Sequence, residues 1–543
     1  MSTPSSVVPA PQNEPVRAYA PGSPERASLK AALDAARGSP AEVPLWIGGK
    51  AVTTTRTTRL AEPHDHGRSL GTACLGDASH VEAAVKTAAA AAPGWAAMSF
   101  EERASVFLKA ADLLAGPWRD RVNAATMLGQ SKTCFQAEID AACELIDFFR
   151  FNVAYARQIL ELQPESAPGM WNRCEYRELE GFVFAVTPFN FTSIAGNLPT
   201  APALMGNVCL WKPASTSLLS NWSLMQLLTE AGLPDGVINF LPGPGAAIGE
   251  PALAHGDLAG VHFTGSTGVF QGMWRTIGEN IAKYRSYPRI VGETGGKDFI
   301  FAHASADVDA LCVALVRGAF EFQGQKCSAA SRAYVPRSLW PDLRERLVAA
   351  LGEVTLGDPT DFSHFMGAVI DEASFEKCKR YIEQARATKG CTIVAGGECD
   401  GSTGWFVQPT VIESADPRSA SMCEEIFGPI LTVHVYDDAK EAEAVALCDT
   451  TSPYALTGAV FAQDRAAVAR IGKALRQAAG NFYVNDKPTG AVVGQQPFGG
   501  ARSSGTNDKA GSLLNLIRWT SVRTIKETFA PPHDWRYPHM GAP

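Results

Sequence analysis

Apolar positions in this chain recur at two spacings, helical and extended, and the spacings alternate from about Leu29 onward. Residues 81–92 form an Ala-rich helical run that Pro93-Gly94 is expected to stop. Ser99-Phe-Glu-Glu102 has the spacing of a capping box ahead of an amphipathic run to Leu114. Ile139, Ile146, Phe149 and Val153 share one face of a long helical pattern over 136–162. Residues 171–186 read as an alternating strand, a turn at Glu180-Gly181 and a buried strand. Short apolar runs at 182–186, 208–211, 237–241 and 260–263 then alternate with helical patterns at 193–205, 218–230 and 246–254. That rhythm implies a mainly parallel sheet with helices on both faces. A second αβ series runs from Glu293 to about Gly500, and a last strand at 518–524 leads into a Pro-rich tail. The expected architecture is two αβ halves with a two-piece β-appendage. The 171–186 hairpin and the last strand are expected to be exchanged between subunits, giving at least a dimer.

Composition narrows the partners. The 543 residues carry a net charge of −8, which argues against nonspecific nucleic-acid binding, since that depends on Lys and Arg neutralising phosphates. No apolar run reaches the roughly 18 residues of a membrane helix. The first 30 residues show neither a signal-peptide pattern nor the Arg-rich amphipathic character of a transit peptide. Twelve cysteines are scattered with no CxxC pair. They read as buried thiols in a reducing cytosol, with no disulfide or metal framework, and the expected location is cytoplasmic.

One cysteine differs from the rest. Cys327 stands in the polar, glycine-containing stretch Gln323-Gly-Gln-Lys-Cys-Ser-Ala329, and Glu293 stands among glycines in Val291-Gly-Glu-Thr-Gly-Gly-Lys297. A thiol on a tight turn and a lone carboxylate are a candidate nucleophile and base. A parallel sheet binds ligands beyond the carboxyl ends of its strands. The dinucleotide fingerprint GxGxxG is absent, because Gly243-Pro-Gly245 followed by Gly249 has the wrong spacing and reads equally well as a turn. Phe263-Thr-Gly-Ser266 ends a strand and opens a helix, so Ser266 and nearby amides are placed to meet a phosphate. Lys212, directly after a strand, is either a surface lysine or a donor to ribose and phosphate oxygens.

Seven motifs in order make the chain resemble the aldehyde dehydrogenase superfamily over about residues 40–525. They are Thr187-Pro-Phe-Asn190, Trp211-Lys-Pro213, Phe263-Thr-Gly-Ser266, Glu293-Thr-Gly-Gly-Lys297, Gln325-Lys-Cys327, Glu424-Glu-Ile-Phe-Gly-Pro429 and Pro497-Phe-Gly-Gly500. Four further stretches are similar to the Δ1-pyrroline-5-carboxylate dehydrogenases: Asn13-Glu-Pro-Val-Arg-Ala-Tyr19, residues 144–152, the surroundings of Cys327, and residues 490–508. The resemblance implies an α/β aldehyde dehydrogenase fold with a Rossmann-like NAD domain (28–168 and 187–294), a catalytic α/β domain (295–505), an N-terminal arm (1–27) and β oligomerisation segments (169–186 and 506–543).

It further implies NAD-dependent oxidation of L-glutamate γ-semialdehyde, the open form of Δ1-pyrroline-5-carboxylate, to L-glutamate in proline catabolism. Another semialdehyde or aliphatic aldehyde dehydrogenase is the alternative. By the same resemblance Cys327 is the nucleophile, Glu293 the general base, and the Asn190 side chain with the Cys327 amide the oxyanion donors. Thr187, Lys212, Ser215, Gly245, Gly249, Phe263, Ser266, Glu425 and Phe427 would line the cofactor site. Ser328 with the Gly490-Ala491 amides would take the substrate carboxylate, with charge from Lys326. Glu144 would pair with the ammonium, and Phe191 and Phe498 would sandwich the methylenes. Two departures stand out. Phe270 replaces a common glycine, and Ser215 replaces a common carboxylate, which leaves NADP unexcluded while NAD remains the expected cofactor.

Overall fold

The computed structural model describes residues 7–541. The first six residues of the expected arm and the last two of the expected C-terminal segment lie outside that range. The alternating series read over 182–263 folds as expected, and a further strand that was not read, Arg289–Glu293, joins its edge. Five parallel strands lie in the order Arg289–Glu293, Leu258–Thr264, Phe182–Val186, Val208–Lys212, Ile238–Phe240, and the antiparallel strands Leu45–Ile47 and Lys50–Val52 extend the far edge. The chain winds outward from Phe182–Val186 first one way and then the other. The order therefore reverses between Phe182–Val186 and Leu258–Thr264, where an open α/β sheet forms its ligand crevice. Thr187, Lys212, Ser266 and Glu293 all stand at carboxyl ends of these strands.

The second series builds another seven-stranded sheet, in the order Cys391–Ala395, Thr410–Ser414, Ile430–Tyr436, Ala330–Pro336, Asp298–Ala302, Thr457–Phe461, Asn481–Val484. All pairings are parallel except the Cys391–Ala395 edge. Only Thr294 to Lys297 separates the last strand of the first sheet from the first-entered strand of the second. Separate apolar cores cover the sheets, one around Trp95, Phe107, Phe149 and Trp211, another around Ile300, Leu315, Leu343 and Leu431. Each such fully buried Leu or Phe contributes about 1.5–3 kcal/mol.

Three expectations fail, each for a physical reason. Helix Ala78–Ala97 runs through Pro93 instead of stopping there. Its buried face of Val81, Ala84, Val85, Ala88 and Trp95 continues past the proline and outweighs the lost hydrogen bond. The long helix over 136–162 is interrupted: Cys134–Ala137 passes into a π-helical turn, Glu138–Glu144, before Leu145–Leu160. Such turns insert a residue and re-aim side chains. Residues 171–186 are no hairpin. Met170–Arg177 pairs antiparallel with Ser521–Thr528, 344 or more residues away, while Phe182–Val186 joins the first sheet. The capping box at Ser99 forms as read, with Glu102 Oε2 accepting from the Ser99 amide at 2.7 Å. Among the described residues no helix is long and apolar enough to cross a membrane.

Candidate active site

The link Glu293–Lys297 decides the geometry. Gly295 lies so close to Glu425 that a Cβ there would stand 2.2 Å from its Oε2, and one on Gly296 would stand 2.2 Å from the Cys327 carbonyl oxygen. The Gly296 amide donates to Glu425 Oε1 at 2.9 Å. Two glycines in this turn therefore gather Cys327 and Glu425 beside Glu293. The turn is fixed from its other side by Thr294, whose amide donates to the Ser504 carbonyl and whose Oγ1 donates to that of Ser503.

The cysteine turn is bent hard. Helix Val308–Phe320 ends, and Phe322 and Gln323 take left-handed backbone angles, φ of +50° and +56°. Gly324 follows at φ +65°, where a Cβ would stand 2.4 Å from the Gly428 carbonyl oxygen. Left-handed non-glycine residues cost of order 1–3 kcal/mol each and persist only where the surroundings hold them. Here the Gln323 side chain donates to the Ser131 and Ala368 carbonyls, and Gln325 Oε1 accepts from the Ile370 amide. The Asn190 side chain donates to the Gln325 carbonyl at 3.0 Å, which places its amide two residues before the thiol.

Burial raises the Cys327 thiol well above its usual range, and the carboxylates of Glu293, Asp298 and Glu425 raise it further. Glu293 is pushed up to about 8 by burial, with Lys509 opposing and Asp508 adding to the rise. Its Oε1 is buried with no partner among the described residues. Lys297, also without a partner for its ammonium, is pushed down to about 7 by burial and then by Arg332. The site thus holds acids and a base near neutrality, as proton-transfer chemistry requires.

The other expected residues fall into three groups. At the sheet crevice, Ser266 is the exposed N-cap of helix Thr267–Glu279 and makes no side-chain cap bond. Gly245 and Gly249 face open space at the start of helix Gly245–Ala254. Lys212 is buried and pushed down to about 8, its ammonium donating to the Pro213 carbonyl, and Ser215 is exposed. Thr187 Oγ1 accepts from Trp211 Nε1 at 3.0 Å. Phe427 has φ +61° and packs edge-on to Phe189. The Phe263 ring is buried. It stacks on Phe270, centroids 5.3 Å apart, within the core, and leaves only its backbone for a ligand. An open helix N-terminus, two glycines facing free space and a lysine at a strand end fit a dinucleotide.

The second group is the end expected to take the substrate carboxylate. Ser328 Oγ lies 2.8 Å from Thr489 Oγ1, and Gly490 has φ +95°. The Lys326 ammonium is paired with Glu321 at 3.0 Å. The third group surrounds a cavity of about 40 Å³ that brings Glu144 and Phe498 together with Glu293, Asp508 and Lys509. Cys327, Phe191, Lys326 and Ser328 do not line it. Glu144 is pushed up to about 8 by burial and by Asp140. Ser193 Oγ lies 2.7 Å from its Oε2.

Sequence reasoning missed four charged residues. Lys132 is fully buried, paired with Asp140, and lies over the rings of Phe191 and Phe322, 4.5 and 4.3 Å from their centroids. Asp140, aimed inward by the π-turn, accepts from the first amides of helix Thr192–Leu204. The charge of Asp298 acts on the thiol, and that of Lys509 on Glu293. Only Asp508, next to Lys509, fell within a quoted stretch. Glu62, His64 and Asp358 have donor atoms near enough to hold an ion, but the Arg37 guanidinium already lies among them, 2.7 Å from both Glu62 and Asp358.

A family model described as the aldehyde dehydrogenase family matches residues 51–525. The chain is 52% identical, over 98% of its length and 96% of the relative, to a protein of Dictyostelium discoideum named Delta-1-pyrroline-5-carboxylate dehydrogenase, mitochondrial. It is 49% identical to a Homo sapiens protein of the same name, covering 97% of this chain and 94% of that one. It resembles a crystal structure of the Delta-pyrroline-5-carboxylate dehydrogenase from Mycobacterium tuberculosis bound with NAD, with a TM-score of 0.96, 56% identity and full coverage of both chains. The mitochondrial names overturn the cytoplasmic location expected above. Free cysteines indicate reducing surroundings, which more than one compartment provides, and cannot choose between them.

If Glu293 is the base it must be ionised to act, and turnover is then expected to rise about tenfold per pH unit below pH 8 and to level off above it. A pH profile of kcat checks this. A flat profile between pH 6 and 8 would contradict it.

Proposed function

The chain belongs to the aldehyde dehydrogenase family, and within it we propose that it oxidises L-glutamate γ-semialdehyde to L-glutamate with NAD, as a step of proline catabolism. The observation that carries the chemistry is the Gly295-Gly296 turn, which follows Glu293 directly and packs against the Cys327 backbone and the Glu425 carboxylate. About 50% identity over nearly the whole length to enzymes named for Δ1-pyrroline-5-carboxylate carries the substrate.

Cys327 attacks the aldehyde carbon, forming a carbon–sulfur bond and leaving an oxyanion. Burial and three carboxylates raise its thiol, so attack requires the thiol proton to leave to solvent, and Glu293 is kept for the later step. The Asn190 side-chain amide and the Cys327 backbone amide are the donors for the oxyanion, each worth about 100- to 1000-fold in rate. NAD, when bound, accepts the hydride that leaves this carbon, and a thioester on Cys327 remains. Glu293 then takes a proton from water, the water oxygen bonds to the acyl carbon, the carbon–sulfur bond breaks to release the acid, and Glu293 returns the proton to the departing sulfur to restore the thiol.

Lys212, Ser215, Gly245, Gly249 and Ser266 are proposed to hold the adenosine and pyrophosphate, with Glu425 on the nicotinamide ribose and Phe427 beside the nicotinamide. Ser328 and the Gly490-Ala491 amides are proposed to take the substrate carboxylate, Glu144 the ammonium, and Phe191 and Phe498 the methylenes. The first sheet and its helices form the proposed NAD domain, with Phe182–Val186 at its centre, and 295–505 form the catalytic domain.

We further propose a homodimer or larger assembly built through the ribbon of Met170–Arg177 and Ser521–Thr528. An isolated two-stranded ribbon is marginal in water, and this one leaves Trp171 and Val522 about half exposed. Sedimentation of the full chain is expected to give at least twice the 57.8 kDa chain mass; a monomer at micromolar concentration would refute the assembly.

Incubation with Δ1-pyrroline-5-carboxylate and NAD is expected to raise the absorbance of NADH. Cys327→Ser is expected to lower the rate at least 1000-fold while NAD still binds. Equal rates for the variant and the parent would remove the nucleophile, and faster turnover of succinic semialdehyde or propanal would shift the substrate.

A further inference from the structure

The stretch Asn13-Glu-Pro-Val-Arg-Ala-Tyr19 has no part in the chemistry above, yet its contacts are specific. The Asn13 side-chain amide donates to Asp147 Oδ2 at 2.7 Å and to the Val493 carbonyl at 2.8 Å. Its Oδ1 accepts from Gln495 Nε2 at 2.9 Å. One short side chain thus uses both amide hydrogens and its oxygen to join two segments that lie 346 positions apart at Asp147 and Val493. Asp147 sits one turn after Glu144, on the helix Leu145–Leu160. Val493 and Gln495 belong to the loop that opens with Gly490-Ala491.

The arm itself is tied down independently of this bridge. The Glu14 amide donates to Asp147 Oδ1 at 2.7 Å, and the Glu14 carboxylate pairs with Arg119 and Arg150. Tyr19 is buried and donates to Glu138, at the start of the π-turn that ends at Glu144. Asn13 therefore projects from an anchored segment, not from a loose one.

We propose that Asn13 is a positioning residue for the substrate: it fixes the distance between the loop that takes the α-carboxylate and the helical turn that presents Glu144 to the α-ammonium. Both groups sit on one carbon, so the two recognising segments must keep a constant separation to bind them together, and Asn13 is the side chain that spans them. The Val493 side chain is also buried in the core, a contact without the directionality of the Asn13 hydrogen bonds. Gly494, at φ +83°, lies against the Phe151 ring on the same helix, a contact that resists approach but not separation. The inference rests on the proposed placing of the carboxylate at Ser328 and Gly490-Ala491.

The test compares two aldehydes in the full-length enzyme, the semialdehyde and uncharged pentanal. Asn13→Ala is expected to raise KM for the semialdehyde about tenfold, the size of one buried hydrogen bond, with kcat and KM for NAD within twofold and KM for pentanal unchanged. Hydrogen exchange at 490–496 is expected to quicken. Asn13→Asp keeps the size and the acceptor for Gln495 but loses both donors, and it is expected to act in the same direction. Gln495→Ala removes one limb of the bridge and serves if either variant at position 13 fails to fold. An unchanged KM for the semialdehyde, or an equal loss on both aldehydes, overturns the proposal. Ser328→Ala separates the two failures. If it raises KM for the semialdehyde alone while the variants at 13 and 495 do not, only the positioning role falls. If Ser328→Ala has no effect either, the placing of the carboxylate falls with it.

Discussion

No side chain can fit at Gly296. The Cys327 carbonyl and the Asp298 carboxylate occupy the space that a Cβ would need, at 2.2 and 2.3 Å, and Gly295 is closed in the same way by Glu425. The turn must therefore carry glycine at 296, and because it does, the Cys327 backbone, the Asp298 carboxylate and the end of the last strand of the first sheet lie together. The fold serves this contact from both sides. The first sheet delivers Glu293 and the crevice at its reversal of strand order; the second begins at Asp298 and carries the thiol turn against Gly428.

The electrostatic consequence is a site that opposes its own ionisation. Glu293 and Glu144 are each held near 8 by burial. A buried acid whose folded value lies above its ordinary 4.5 binds more protons folded than unfolded across that interval. Its contribution to stability is therefore greatest below about pH 4.5 and declines as pH rises toward 8. Stability falls over the interval in which Glu293 gains the charge that the chemistry needs. The left-handed Phe322 and Gln323 add backbone strain beside the same thiol. Such costs at a reacting centre are the usual counterpart of activity.

Much of this was readable in the residues, and what was not has identifiable causes. The strands from 182 to 263 were legible because buried parallel strands are short apolar runs between helical patterns. Glu293 and Cys327 stood out because polar, glycine-bearing turns interrupt that rhythm. Pro93 misled because tertiary burial overrode a local breaker, and the π-turn at 138–144 left no periodic trace. Residues 171–177 read as half of a hairpin, since their true partner is more than 340 positions away. Lys132, Asp140 and Lys509 were invisible for the same reason, as their meaning lies in long-range pairs. No motif displays the stacking of the Phe263 ring on Phe270. That residue fits only because Gly292 leaves its ring room: a Cβ there would stand 2.3 Å from it.

The central claim is that one thiol and one carboxylate divide the work, Cys327 forming the thioester and Glu293 driving its hydrolysis. Rapid mixing of Glu293→Gln with NAD and Δ1-pyrroline-5-carboxylate tests this directly. The account predicts a burst of NADH approaching one equivalent per chain, then near-arrest, with mass spectrometry showing the acyl group on Cys327. Steady turnover at the parent rate, or an arrested enzyme with no burst and no acylated Cys327, would contradict it.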